Sequence, residues 1–167
     1  MGYTTDFEGI LTFDKPLSTV QRDYINLLAG TRRMMRSVAA LKEMYNGEYG
    51  LDGDYGMQGE YYVRDDGMSG QTNDNSVVDY NTPPNSQPSL WCHWIITDDC
   101  SSLEWDGGEK FSQYIQWLHY LIDHFFSKWG NKLIGEITWQ GEDSTDMGKI
   151  QVKDNIVTIK KAKIIYE

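Results

Sequence analysis

A chain of 167 residues with 40% apolar residues and a mean hydropathy of −0.57 has the size and composition of one soluble globular domain with a full core. Its net charge of −10 at pH 7 argues against direct binding to a nucleic-acid backbone, because no excess of Lys and Arg exists to displace counterions. No apolar run approaches the roughly 18 residues of a membrane span, so no membrane partner is expected.

The opening Met1-Gly2-Tyr3-Thr4-Thr5-Asp6 has neither a basic stretch nor an apolar one. With only Cys92 and Cys100 present, the expectation is a cytoplasmic protein with reduced thiols. Myristoylation is not expected, because Asp6 stands where the pattern wants Ser or Thr.

Phe7 to Phe13 alternates as a first strand. Asp14-Lys15-Pro16-Leu17 then turns into a helix in which Ser18 and Gln21 form a capping box. Val20, Tyr24, Leu27 and Leu28 make its apolar face, and a break is expected near Gly30 to Arg33. Residues 46–89 read as a long irregular region. Gly47, Gly50, Gly53, Gly56 and Gly59 recur every third residue, but without proline they cannot hold a collagen helix. Val77 to Pro84 ends in an extended Pro-Pro dipeptide.

Leu90 to Thr97 and Leu103 to Asp106 read as strands, the second ending at the Gly107-Gly108 turn. Glu109 to Trp129 reads as a strong helix, with Phe111, Ile115, Leu118, Leu121, Ile122, Phe125, Phe126 and Trp129 in one arc. Gly130-Asn131 stops it. Strands follow over Lys132 to Gln140, Gly148 to Lys153 and, after the Asp154-Asn155 turn, Ile156 to Tyr166. The order predicts one α+β domain over 1–167: an antiparallel sheet with two main helices packed on one face and a long Gly/Tyr-rich loop.

Several groups invite a chemical reading. Arg32, Arg33 and Arg36 suit phosphate or carboxylate; they either pair with nearby acids or line an anion pocket. Gln113, Trp117, Tyr120 and His124 form a second helical stripe. Trp117, Tyr120 and His124 are the interface candidates, facing the long loop, another subunit of a homo-oligomer, or a ligand. Glu136, Glu142, Asp143 and Asp146 surround Trp139, as metal ligands, as acid and base, or as polar turn residues. Cys92-His93 and Cys100 lack the spacing of a zinc site, and neither a metal nor a cofactor is expected. Phosphate-loop, dinucleotide, metalloprotease and nucleophile-elbow motifs are absent.

Six tryptophans lie between Trp91 and Trp139, among acidic-glycine motifs. Gly2-Tyr3-Thr4-Thr5-Asp6-Phe7, Thr31-Arg32-Arg33-Met34, Val78-Asp79-Tyr80-Asn81 with Pro83-Pro84, Leu90-Trp91-Cys92, Glu104-Trp105-Asp106-Gly107-Gly108-Glu109-Lys110-Phe111 and Trp139-Gln140-Gly141-Glu142-Asp143 form a distinctive set. With them, the chain resembles a family of small uncharacterised proteins of bacteriophages and some bacteria, over nearly its whole length except 37–60. The resemblance implies a phage or mobile-element setting in the bacterial host cytoplasm, where accessory proteins of this size are often counter-defence factors. It supplies no catalytic residue.

Three functions compete within that setting. In the first, the protein sequesters a small anionic, nucleotide-like ligand. Arg32, Arg33 and Arg36 would hold phosphates, Tyr80, Trp91 or Trp105 would stack, and Asp79, Asn81, Asp106, Trp139, Glu142 and Asp143 would complete the site. In the second, an acidic surface inhibits a host defence protein. In the third, Asp106, Glu142 and Asp143 serve a metal-dependent hydrolase. The mixture of Arg, Gly and aromatic residues in the motifs places sequestration first.

Overall fold

The computed structural model describes residues 2–167. The fold is α+β, and the chain forms two compact units: Met1–Arg22 with His93–Glu167, and Asp23–Cys92.

The first unit is built on a six-stranded sheet. Its strands are β1 (Thr5–Phe13), β4 (Trp94–Ile96), β5 (Ser102–Trp105), β6 (Leu133–Gly141), β7 (Met147–Lys153) and β8 (Ile156–Lys161), ordered β4-β5-β1-β6-β7-β8. Every pairing is antiparallel. Period-two alternation sorts the side chains: Phe7, Leu11, Phe13, Leu133, Ile137, Ile150 and Val152 are buried, while Asp6, Glu8, Glu136, Lys149 and Lys153 are not. In the β1–β6 ladder, Gly9 has φ +110° and a Cβ there would strike the Glu136 carbonyl oxygen. Only glycine permits that approach. The Asp154-Asn155 turn has φ of 50° and 68°, the left-handed pair of a tight hairpin turn. Asn155 also accepts from the Leu133 amide at 2.7 Å, fastening the turn to the start of β6.

The second predicted helix is shorter than its apolar arc suggested. Regular α3 covers Tyr114–Leu121 and widens into a π-helical turn over Ile122–Phe126. Lys110 and Gln113 both have φ of 60°, so the chain turns twice before the helix begins. The cause is Phe111, which is not a helix residue but packs edge-on against Phe7, Trp94 and His93, at 5.9, 5.1 and 5.1 Å between centroids. Leu118, Leu121, Ile122, Phe125 and Phe126 are buried as expected. The predicted strand from Leu90 to Thr97 contracts to β4, and the last strand stops at Lys161 rather than Tyr166.

Helix α1 (Thr19–Ala29) starts on the predicted capping box: the Gln21 amide donates to Ser18 Oγ, and the Ser18 amide to Gln21 Oε1. Tyr24 and Leu28 are buried, but Val20, one turn before Tyr24 on the same face and at the start of the helix, is 77% exposed. The expected break after Gly30 is present. It leads to β2 (Met35–Arg36), a third helix α2 (Val38–Tyr45) that the predicted element order omits, and β3 (Val77–Asp79), which pairs with β2. The glycine-rich segment folds around a cluster of Leu41, Tyr55 and Tyr62, flanked by Val38, Tyr45 and Tyr49. Tyr55 fastens the loop from inside, donating to the Glu48 carbonyl at 2.6 Å and accepting from the Gly47 amide at 2.9 Å.

Candidate functional site

The arginines of the Asp23–Cys92 unit turn inward. Arg33 is 2% exposed and donates to the carbonyl oxygens of Tyr62 (2.7 Å) and Glu60 (2.8 Å) and to Gln87 Oε1 (3.2 Å). Arg36 is equally buried, lies 4.0 Å over the Tyr62 ring, and donates to Ser76 Oγ at 2.8 Å and Asp74 at 3.4 Å. Arg64 covers Tyr49 at 4.6 Å and donates to Tyr45 Oη at 3.0 Å. The donors of Arg33 and Arg36, expected at an anion pocket, are engaged instead by carbonyl oxygens and side chains of the long loop. Arg32 is half-buried, 4.2 Å over Tyr80, and donates to the Tyr80 carbonyl and to Asn81 Oδ1. Asp79 accepts from the Asn81 amide and Thr82 Oγ1, so Asp79, Tyr80 and Asn81 form one turn, to which Arg32 donates. Trp91 is half-buried in the same unit.

Electrostatics follows this geometry. Burial pushes the Asp74 carboxyl up, but hydrogen bonds from Ser76 and Tyr45 and the adjacent Arg36 outweigh it and hold the group below its ordinary value. Burial, helped by donation to Asp74, pushes the Tyr45 hydroxyl up to about 12.

In the sheet unit the other predicted residues occupy two turns. Trp105 donates from Nε1 to the Gly108 carbonyl at 3.1 Å and packs on Phe7 at 5.4 Å. Asp106 accepts from the Gly108 amide at 2.7 Å and pairs with His93 Nδ1 at 2.9 Å. Trp139, 5% exposed, donates to Asp146 Oδ1 at 2.9 Å. Glu142 accepts from the Thr4 amide at 2.8 Å, and Asp143 from the amide and hydroxyl of Thr145, which lower its pKa. Tyr3 closes this turn by donating to Asp146 Oδ2 at 2.8 Å. Asp106 and Asp143 thus cap their own turns, while Glu142 and Asp146 tie the second turn to Thr4, Tyr3 and Trp139. Asp106, Glu142 and Asp143 do not converge, and among the described residues no three metal-ligating side chains gather. The polar groups of these two turns bond within the fold.

Trp117 and Tyr120 are 0% and 4% exposed, and Tyr120 stacks on His124 at 3.9 Å. The expected subunit surface is corrected accordingly: Trp117 and Tyr120 are enclosed within the chain, and His124 is the half-buried member of the stripe.

The surface that sequence reading missed is the outer face of the sheet. A shallow hollow of ≈ 680 Å³ lies over β1, β6, β7 and β8, with Asp6 and Glu8 on one side and Lys149 and Lys160 on the other. A second of ≈ 580 Å³ adjoins Ile134, Gln151, Lys153 and Ile156. The alternation in Asp6-Phe7-Glu8 and Lys149-Ile150-Gln151-Val152-Lys153 was the available signal. Both hollows are open, which suits contact with a surface or a chain segment better than enclosure of a small molecule. No protein-family model, no curated protein and no solved structure matches the chain.

Proposed function

We propose that this is a phage-type accessory protein that acts by binding another protein, with the acidic Asp23–Cys92 unit covering a basic surface of a host defence enzyme. The observation that carries this reading is the separation of charge inside that unit. Arg32, Arg33, Arg36 and Arg64 lie on tyrosine rings, carbonyl oxygens or loop side chains, leaving Lys42 as the exposed cation. Glu43, Glu48, Asp52, Asp54, Asp65 and Asp79 are exposed. The outside of the unit is therefore more acidic than its composition, which favours long-range attraction to a basic partner. The phage setting rests on the motif resemblance alone. The sequestration reading keeps only Arg32 as a half-exposed phosphate donor.

The test uses the full chain as bait in bacterial lysate, beside the Glu48→Lys/Asp52→Lys/Asp54→Lys variant. Recovery of a basic protein that the variant binds at least tenfold more weakly supports the reading. Equal binding by both, or recovery of no basic protein, overturns it. A nucleotide-induced thermal shift that Arg32→Ala abolishes favours sequestration instead.

A further inference from the structure

We propose that the outer edge of β8 receives an extended acidic peptide of a protein partner as a seventh strand of the sheet. The inference does not rest on the acidic-unit reading, because β8 belongs to the other unit.

β8 is the last strand in the sheet order and pairs only with β7 within that sheet. The Ala162 amide donates to the Met147 carbonyl at 2.9 Å, continuing the ladder beyond Lys161. Antiparallel alternation then directs the backbone groups of Ile156, Thr158 and Lys160 towards β7, and those of Val157, Ile159 and Lys161 outward. An outward row of donors and acceptors is the template for strand addition. The strand has no proline, no register shift and few buried side chains: Ile156 is 71% exposed and Ile159 38%. Beyond it, Ile164 and Ile165 are 49% and 79% exposed.

Charge selects the occupant. Residues 156–163 carry Lys160, Lys161 and Lys163 and no carboxylate, in a chain of net charge −10. Pairing β8 with β8 of a second copy would gather all these ammonium groups from both chains in one ribbon, the means by which edge strands resist self-association. A strand alternating Glu or Asp with Val or Ile meets the opposite condition. One face sets carboxylates beside Lys160, and the other sets branched side chains beside Val157 and Ile159.

The experiment is amide hydrogen exchange by NMR on the full chain, titrated with the synthetic peptide Glu-Val-Glu-Val-Glu-Val-Glu and with its Lys-for-Glu counterpart. The expected result is at least tenfold slower exchange at Val157, Ile159 and Lys161 with the acidic peptide only. Ile159→Pro removes an outward N–H without touching the β7 ladder and is expected to abolish the effect. Lys160→Glu/Lys161→Glu, which keeps every backbone group, is expected to weaken binding at least tenfold. Absence of protection, equal protection by both peptides, or amides already protected in a dimer of the protein alone would each overturn the proposal.

Discussion

The Arg33 guanidinium donates a 2.7 Å hydrogen bond to the carbonyl oxygen of Tyr62, 29 residues further along the chain. A second nitrogen serves the Glu60 carbonyl, so one buried cation satisfies a stretch of loop backbone that has no sheet or helix to do so. Truncation leaves the buried Tyr62 carbonyl without this donor, at about 1–3 kcal/mol, and opens a cavity where the guanidinium lay, while the Glu60 carbonyl keeps its 2.7 Å hydrogen bond from Gln87 Nε2. Arg33→Ala is expected to lower stability by about 3 kcal/mol or more in urea unfolding, and Arg33→Lys to recover only part of this, since an ammonium cannot span both carbonyls. Arg32→Ala, at a half-buried site over Tyr80, is expected to cost about 1 kcal/mol or less.

Gly9 offers a sharper test of the sheet. An added methyl group meets the Glu136 carbonyl at a φ of +110°, so Gly9→Ala combines strain with a backbone clash. The expected loss is about 2 kcal/mol or more. Gly107→Ala, at φ +83° with nothing near the new Cβ, carries the strain alone and is expected to cost about 1 kcal/mol. The difference between their urea midpoints isolates the clash.

Asp99 is one of the carboxyl groups through which acid is expected to destabilise the fold. Hydrogen bonds from Thr97 Oγ1 at 2.6 Å and from the hydroxyl and amide of Ser101 hold its carboxyl at about 2. The folded value lies below the unfolded value of roughly 3.9, so the stabilisation is complete above about pH 4 and disappears as pH falls through about 2. In Asp99→Asn this contribution is absent at every pH. The urea midpoints of the two proteins are therefore expected to differ at pH 6 and to converge between pH 4 and 2. A constant separation across that range would contradict the assignment.

Much of the fold could be read from periodicity. The strands at Phe7, Lys132 and Gly148, the Ser18–Gln21 cap and the break after Gly30 all follow from local rules, and these elements obey them. Phe111 did not, because its position fits a helical arc while its contacts lie in an aromatic cluster assembled from β1 and β4. The candidate site was least legible. Arg33 and Glu142 look like ligand-binding residues in one dimension; only three dimensions show that their partners are the Tyr62 carbonyl and the Thr4 amide. Trp117 misled similarly, since its place off the main arc says nothing about which segment encloses it.

The Trp139 turn separates a fastener from a binding site most directly. Trp139 Nε1 and Tyr3 Oη donate to the two oxygens of Asp146 at 2.9 and 2.8 Å. Trp139 is nearly enclosed, whereas Tyr3 is 48% exposed and water can replace its hydroxyl. Trp139→Phe is therefore expected to cost about 1–3 kcal/mol through the lost hydrogen bond and the space left by the smaller ring. Tyr3→Phe is expected to cost about 1 kcal/mol or less. Asp146→Ala removes both acceptors and should shrink the effect of Tyr3→Phe to the loss of the 3.0 Å hydrogen bond that the Tyr3 hydroxyl accepts from the Asp143 amide, a coupling that a double-mutant cycle in urea reads directly. A purely ligand-binding turn would show the reverse: small stability changes, no coupling between Tyr3 and Asp146, and altered binding in each variant.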